Sequence, residues 1–400
     1  MKKIIVFLIL IISPISLKAS LGADLSGLIL LDVERNGEAW YVYPEDNMRY
    51  FLGRPIDAFK IMRELGLGID EANFQKIAQA GMSVEGDIEL TKRLSGKIII
   101  QTEKNGEAWY IYPKDLKKYY LGRPKDAFKI MRELSLGISR ENLALVHKPG
   151  LEESIDQYSS YEHKKISTKN GIFSIDLVTI DLNNPKLKII TDTASPAPSE
   201  ERKTGNFGAK TLGEFVLENN AFAGINGTYF EAYNANQNYY FYPVYDSNEE
   251  KLINADQLKY WTTGPIFAWD INNKFYYFKD SREFIGVDDF ETNNIKLQAL
   301  IGNRPRLIEN KMNLLIEWDI DDKQRNSKAD RNAIGIKDNK IYLVIAHNAT
   351  VPDLAIIMQK LQVDYALNLD GGYSSALWYN DEYMVRPGRD IPNALVFSEN

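Results

Sequence analysis

The sequence predicts a mixed α/β protein, α+β in layout, with two small hairpin-plus-helix repeats ahead of a larger sheet-based domain. Three observations predict it. Residues 27–69 recur at 96–138 with about two-thirds of positions identical. Residues 340–369 read as strand, helix, strand, a crossover unit. Between 164 and 301 a series of short apolar, aromatic-rich runs reads as further strands.

The chain begins as an export signal would. Lys2-Lys3 precede an apolar run from Ile4 to Ile12, and Ser16-Leu17-Lys18-Ala19 offers a cleavage region, so 1–20 is expected to be a signal peptide. The run is short for a membrane span. A secreted or cell-envelope protein, bacterial in character, is expected: the chain has no cysteine and so no disulfide.

Each repeat, 21–95 and 96–150, carries Asn-Gly-Glu-Ala-Trp-Tyr (Asn36–Tyr41, Asn105–Tyr110) and Leu-Gly-Arg-Pro (Leu52–Pro55, Leu121–Pro124). Asn-Gly between apolar runs predicts a type I′ hairpin. The segments 57–65 and 126–134 predict short helices opened by Pro and Asp. Trp40, Tyr41, Tyr43 and Tyr50, with Trp109, Tyr110, Tyr112 and Tyr119, are expected to be module cores, since modules this small need large aromatics. Stacking platforms for sugars are the other reading. Contact with cell wall or polysaccharide through these repeats is expected on that reading.

Residues 139–160 read as a linker and 160–400 as the second domain. Strands are expected at 164–180, 186–191, 221–226, 264–270, 274–279, 295–301 and 314–318, with a helix at 211–218. The polar, tyrosine-rich stretch 231–260 is a candidate substrate-covering loop. Thr350 and Asp353 form a capping-box pattern ahead of Leu354, Ile357, Met358 and Leu361, one apolar stripe.

The chain's focus is 366–377, Ala-Leu-Asn-Leu-Asp-Gly-Gly-Tyr-Ser-Ser-Ala-Leu. Strand alternation puts Asn368 and Asp370 on one face. Gly371-Gly372 then allows close approach of backbone to a ligand and an anion-binding nest of N–H groups. Ser374 and Ser375 add hydroxyls. Such a loop beyond a strand's carboxyl end suits a sugar or a phosphate, although an Asp-Gly-Gly turn capped by Ser has the same pattern.

Four motifs in order, 225–230 (Ile-Asn-Gly-Thr-Tyr-Phe), 331–335 (Arg-Asn-Ala-Ile-Gly), 368–375 and 389–395 (Arg-Asp-Ile-Pro-Asn-Ala-Leu), resemble the phosphodiester glycosidase family. The resemblance spans roughly 160–400. Tyr373 stands where many relatives have glycine, and His347-Asn348 where an Asp-Gly turn is usual. The family's fold implies a strongly twisted mixed sheet. Its activity implies hydrolysis of a sugar-1-phosphodiester at the glycosidic bond in envelope or exopolysaccharide glycans, with a phosphodiester-linked glycan as partner.

Such a reaction passes through an oxocarbenium-like transition state and needs a carboxylate near C1 with cations on the phosphate. By motif, Asp370, Arg331 and Asn226 are the catalytic candidates. Asn368, Gly371, Gly372, Ser374, Arg304, Arg389, Asn393 and Tyr229 are the substrate-binding candidates, with Arg306 a reserve cation. The alternative is a non-catalytic surface protein whose second domain is a degenerate carbohydrate binder.

Composition narrows the field. Without Lys2, Lys3 and Lys18 the chain has 45 basic and 55 acidic residues, a net charge of −10, which argues against nucleic acid as a partner. No cofactor is implied. Asp319-Ile320-Asp321-Asp322 lacks the Gly and distal Glu of a calcium loop, so a solvated acidic turn is expected. His147, His163 and His347 are scattered without ligand spacing, so no metal site is expected, and His347 reads as a turn residue.

Overall fold

A computed structural model describes residues 21–399, except 35–36, 53–54, 83–84, 123, 150–152, 156, 200, 261–263 and 285. The signal segment 1–20 and much of the two Gly-Arg-Pro turns therefore lie outside the described residues. Among those described, no helix is long and apolar enough to cross a membrane. The chain divides into two compact units at 149/150.

In the first unit the two repeats are interlocked rather than separate. One sheet runs Arg49–Phe51, Ala39–Val42, Ile29–Asp32 and then Leu136–Ile138 from the other repeat. The second runs Leu67–Ile69, Ile98–Gln101, Ala108–Tyr112 and Lys117–Tyr120, so its first strand is likewise borrowed. Both borrowed strands pair in parallel. The Tyr41 hydroxyl donates to the Gly96 carbonyl at 2.7 Å, and Tyr110 donates to the Gly27 carbonyl at 2.7 Å. Gly27 and Gly96 face each other so closely that a Cβ on either would lie 2.6 or 2.5 Å from the other's Cα, and both have φ of +76°. Only glycine fits both demands.

Ile29, Tyr41, Leu52 and Met62 share one core with Ile98, Tyr110, Leu121 and Met131. Tyr41, Tyr110 and Trp109 are buried, whereas Trp40 is half-buried beneath the Arg49 guanidinium. The helices Pro55–Leu65 and Pro124–Leu134 start on their prolines. The second hairpin is not a two-residue type I′ turn: its loop extends from Gln101 to Glu107, and Gly106 has positive φ while Asn105 does not.

The expected linker at 139–160 includes the helix Arg140–Leu143, the strand Glu153–Ile155 and the start of the strand Ser159–Thr168.

The second unit is a mixed α/β layer structure. Its eight-stranded sheet runs Met312–Asn313, Arg306–Glu309, Tyr365–Asn368, Ala329–Lys337, Lys340–Ala349, Gly171–Asp181, Ser159–Thr168 and Glu153–Ile155. Lys340–Ala349, the helix Val351–Lys360 and Tyr365–Asn368 form the expected crossover, with Ala329–Lys337 inserted antiparallel between the two strands. Thr350 and Asp353 make the capping box. Strand alternation then divides the sheet's faces. Val344 and Ala333 pack on Leu354, Ile357 and Met358 of the helix. Ile334, Leu343 and Leu367 pack on Ile225, Leu395, Phe397, Phe267 and Trp269 from two five-stranded sheets on the other face.

Other expectations changed where packing overrode pattern. Residues 314–318 form no strand; a short 3-10 turn spans Glu317–Asp319 and leaves Trp318 93% exposed. The 231–260 stretch is mostly packed, with Tyr239, Tyr240 and Tyr242 buried and strands at Val244–Asp246 and Lys251–Ile253. Of this stretch, Glu231–Tyr233 and Tyr242 line the cleft described next.

Candidate active site

Two strands end together at one margin of the second unit. Ala221–Asn226 and Tyr365–Asn368 both finish on asparagine, and Asp370 N–H donates to the Gly227 carbonyl at 3.0 Å. The antiparallel neighbour Ala329–Lys337 brings Asp330 and Arg331 to the same margin. An open cleft of about 1120 Å3 lies there, lined by Tyr229, Tyr233, Arg304, Arg331, Asp370 and Arg389 among others.

Asp370 is the carboxylate at the cleft's base. Burial pushes its carboxyl up to about 6, against the Ser374 hydroxyl, the Gly371 N–H and the charges of Arg389 and Arg331, which pull it down. It is thus largely ionised at neutral pH yet able to exchange a proton there. The 3.0 Å bond from Gly371 N–H to its Oδ1 means that this glycine's amide serves the carboxylate rather than an anion nest. Gly371 passes so close to the Asp330 carbonyl that a Cβ would sit 2.8 Å from it.

Arg331 is 6% exposed and anchored through backbone. Its Nη2 donates to the Ser327 carbonyl at 2.7 Å and the Lys323 carbonyl at 3.4 Å, and its Nε to Ala349 at 3.3 Å. Nη1 is left on the Gly371 side of the cleft. Among the described residues no carboxylate is in ion-pair contact with it, and its charge acts on Asp370 within the same cleft. Arg389 lies across the mouth. Its guanidinium carbon is 4.8 Å from the Tyr233 ring centroid and 5.6 Å from that of Tyr373, and it donates to the Tyr233 hydroxyl. Tyr373 is 72% exposed there. Arg304 lines the cleft's other side. Arg306 instead pairs with Glu309 at 3.0 Å.

The asparagines play a different part from the one expected. Asn226, Asn368 and Asn393 are each 1% exposed, too deep to touch a substrate. Asn226 donates to the Asp370 carbonyl at 2.8 Å and accepts from Ala376 N–H at 3.1 Å. Asn393 accepts from Thr228 N–H at 2.9 Å and donates to the Thr228 hydroxyl at 3.0 Å. Regular strand does not continue to Asp370, so strand alternation does not relate the two residues. Regular strand ends at Asn368, whose amide turns inward to the Leu369 carbonyl at 2.9 Å and the Tyr229 hydroxyl at 2.6 Å. These are positioning residues. Two more belong with them: Asn332, donating to Asn226 Oδ1 at 2.7 Å and the Asp370 carbonyl at 2.6 Å, and Asn303, donating to the Asn368 carbonyl at 2.8 Å. Asn332 lies inside a motif segment and Asn303 outside all four, and no pattern marked either as inward-facing.

Tyr229 accepts from Asn368, which leaves its own O–H proton for a partner on the cleft side. Burial and the nearby Asp370 charge raise its pKa, so it stays a neutral donor.

Beside the cleft, two of the three histidines converge. His347 sits in the strand Lys340–Ala349, not in a turn, at a bulge where His347 and Asn348 face Asp330 alone. Its Nε2 lies 2.6 Å from Asp176 Oδ2 and its Nδ1 2.9 Å from Asp330 Oδ1. His163, the register partner of Asp176, places Nδ1 2.7 Å from Asp176 Oδ1. The carboxylates of Asp176 and Asp330 hold the His347 ring's pKa up, to about 10.

Residues 219–398 match the family model described as phosphodiester glycosidase. No curated protein matches the chain. Among solved structures, a hypothetical protein from Synechocystis aligns with a TM-score of 0.44 and 14% identity over 61% of this chain and 62% of that one. The zebrafish N-acetylglucosamine-1-phosphodiester alpha-N-acetylglucosaminidase catalytic domain, auto-inhibited by its pro-peptide, aligns with a TM-score of 0.46 and 15% identity over 60% and 83%. The chain thus spans less than two thirds of the Synechocystis protein. The segment that supplies Asn226, Arg331, Asp370 and Arg389 lies within the stretch that matches the phosphodiester glycosidase family model.

Proposed function

We propose that the cleft hydrolyses a sugar-1-phosphodiester at the glycosidic bond, in an exported protein acting on envelope or extracellular glycans. One observation carries the reading: an ionisable carboxylate and a guanidinium with no carboxylate partner face the same cleft, Asp370 at its base and Arg331 at its wall. Water attacks C1, the bond from C1 to the bridging phosphate oxygen breaks, and the electron pair leaves on the phosphomonoester. Ionised Asp370 stabilises the positive charge that develops at C1. Arg331 Nη1 and Arg389 take the charge that grows on the phosphate oxygens. Tyr229 O–H offers a donor to a sugar hydroxyl. A phosphate leaves readily, so the reaction demands little protonation of the leaving oxygen.

The test is turnover of an activated sugar-1-phosphodiester by purified protein, read as release of phosphomonoester and of free reducing sugar in equal amounts. Neither product appearing, with the sugar-phosphate still bound, would leave the domain a carbohydrate binder. Release of an alcohol with sugar-1-phosphate retained would make it a phosphodiesterase instead.

A further inference from the structure

We propose that His163, Asp176 and His347 form a site for one first-row divalent transition-metal ion, Zn2+ by ligand type. The inference does not depend on the reaction in the cleft. One donor atom from each residue lies within 4.8 Å of the other two. The chain has only three histidines and no cysteine, yet two of the three reach one aspartate from strands distant in sequence. Two imidazoles and a carboxylate are a donor set that binds zinc and its neighbours.

The surroundings are those of ligands rather than of a loose polar cluster. Metal-bound side chains are held by partners on their outer atoms. Both histidines are, and Asp176 has a further donor on the oxygen that faces His163. His347 has Asp330 Oδ1 at 2.9 Å from Nδ1. His163 has the Ser174 hydroxyl at 2.8 Å from Nε2. Asp176 accepts from the Tyr161 hydroxyl at 2.7 Å. The inner atoms, His163 Nδ1, His347 Nε2 and the Asp176 oxygens, then all face one another. Asp176 itself is 3% exposed while the His163 side chain is 49% exposed, so the ion would be fixed from within and open to water on one side.

Binding displaces the Nε2 proton of His347 to solvent. His163 takes its Nε2–H tautomer, now donating to Ser174. Asp330 completes the arrangement and links it to the cleft, because it is the chain neighbour of Arg331 and its carbonyl lies against Gly371.

The test uses untagged full-length protein stripped with chelator, then titrated with Zn2+ by calorimetry and with Co2+ by visible absorption. One ion per chain is expected, with Co2+ bands of the intensity given by four or five ligands. H163Q and H347Q should each weaken Zn2+ binding about 100-fold or more, and S174A, which keeps all three ligands, about 10-fold. His163 is exposed, so H163Q is expected to fold even if H347Q does not. No saturable one-to-one binding, or binding of equal strength in H163Q and S174A, would overturn the site and leave the cluster a hydrogen-bond network.

Discussion

The side chain of Asn332 donates to the backbone carbonyl of Asp370 at 2.6 Å, and the residue before it, Arg331, lines the cleft beside the same aspartate. Strand alternation explains the pairing: successive residues point to opposite sides, so one motif sends a cation to the cleft and an amide into the protein. Asn226 reaches the same carbonyl from a second strand end. The aspartate is therefore fixed by its backbone, which leaves its carboxylate free for chemistry.

Asp370→Asn is expected to keep the fold, lower kcat about 1000-fold, and raise the melting temperature. The sign follows from its pKa, raised from 3.8 to about 6 by burial. The folded protein then binds this proton more tightly than the unfolded chain. That gives stability in full below about pH 4 and loses it as pH rises to 6, so at neutral pH the ionised group costs on the order of 1–3 kcal/mol. The amide carries no such cost. Wild-type kcat should fall on the acid side with an apparent pKa near 6. Melting curves and a pH–rate profile check both. A flat profile from pH 5 to 7, or an Asn variant with near wild-type turnover, would remove Asp370 from the mechanism.

Asn332→Ala and Asn226→Ala should behave in the opposite way on stability. Each removes a buried amide and strips a partner from a buried carbonyl or amide, which costs about 1–3 kcal/mol. Their kcat should fall with the loosened Asp370 loop, and KM less. Denaturant titration beside steady-state kinetics separates the cases. An Asn226→Ala protein of unchanged stability with kcat as low as Asp370→Asn would make Asn226 a catalytic residue after all.

Much of this site was legible in sequence, and its failures have a common cause. Asp370 could be read from its place between a strand and Gly-Gly, and the Val351–Lys360 helix from its cap and stripe. The asparagines stand in the expected motifs, but a motif does not say which way a side chain turns once a strand ends. Strand alternation does not carry from Asn368 to Asp370, because regular strand ends at Asn368. The His163, Asp176 and His347 cluster depends on register among three strands and on a bulge at Asp330, neither of which spacing along the chain encodes. The borrowed strands Leu67–Ile69 and Leu136–Ile138 are three residues each, too short to show alternation.

Arg331→Lys keeps the charge but not the fork. Three bonds to backbone carbonyls hold the guanidinium so that Nη1 faces the cleft, and an ammonium cannot make them all while reaching it. Inhibition by free sugar-1-phosphate should weaken about tenfold and the melting temperature should drop slightly. Isothermal titration with the sugar-phosphate provides the check. Equal affinity in both proteins would place the phosphate elsewhere, with Arg389 and Arg304 next in line.

The repeats give the last prediction. Each half lacks something that only the other supplies: a parallel edge strand, a carbonyl for its buried tyrosine, and half of the shared core. Residues 21–149 are expected to fold as one cooperative unit, while residues 21–95 alone stay unfolded at low micromolar concentration. Because the halves are so alike, two copies of 21–95 can exchange Leu67–Ile69 much as the natural pair exchanges strands, and folding that appears only with dimerisation at high concentration fits the same account. Gly96→Ala in the 21–149 fragment should cost more than 2 kcal/mol, since a methyl would need to occupy space 2.5 Å from the Gly27 Cα at a φ of +76°. Sedimentation and thermal melts read both outcomes. A monomeric 21–95 fragment with a cooperative melt, or a Gly96→Ala fragment as stable as the parent, would mean that the repeats are independent modules that merely touch.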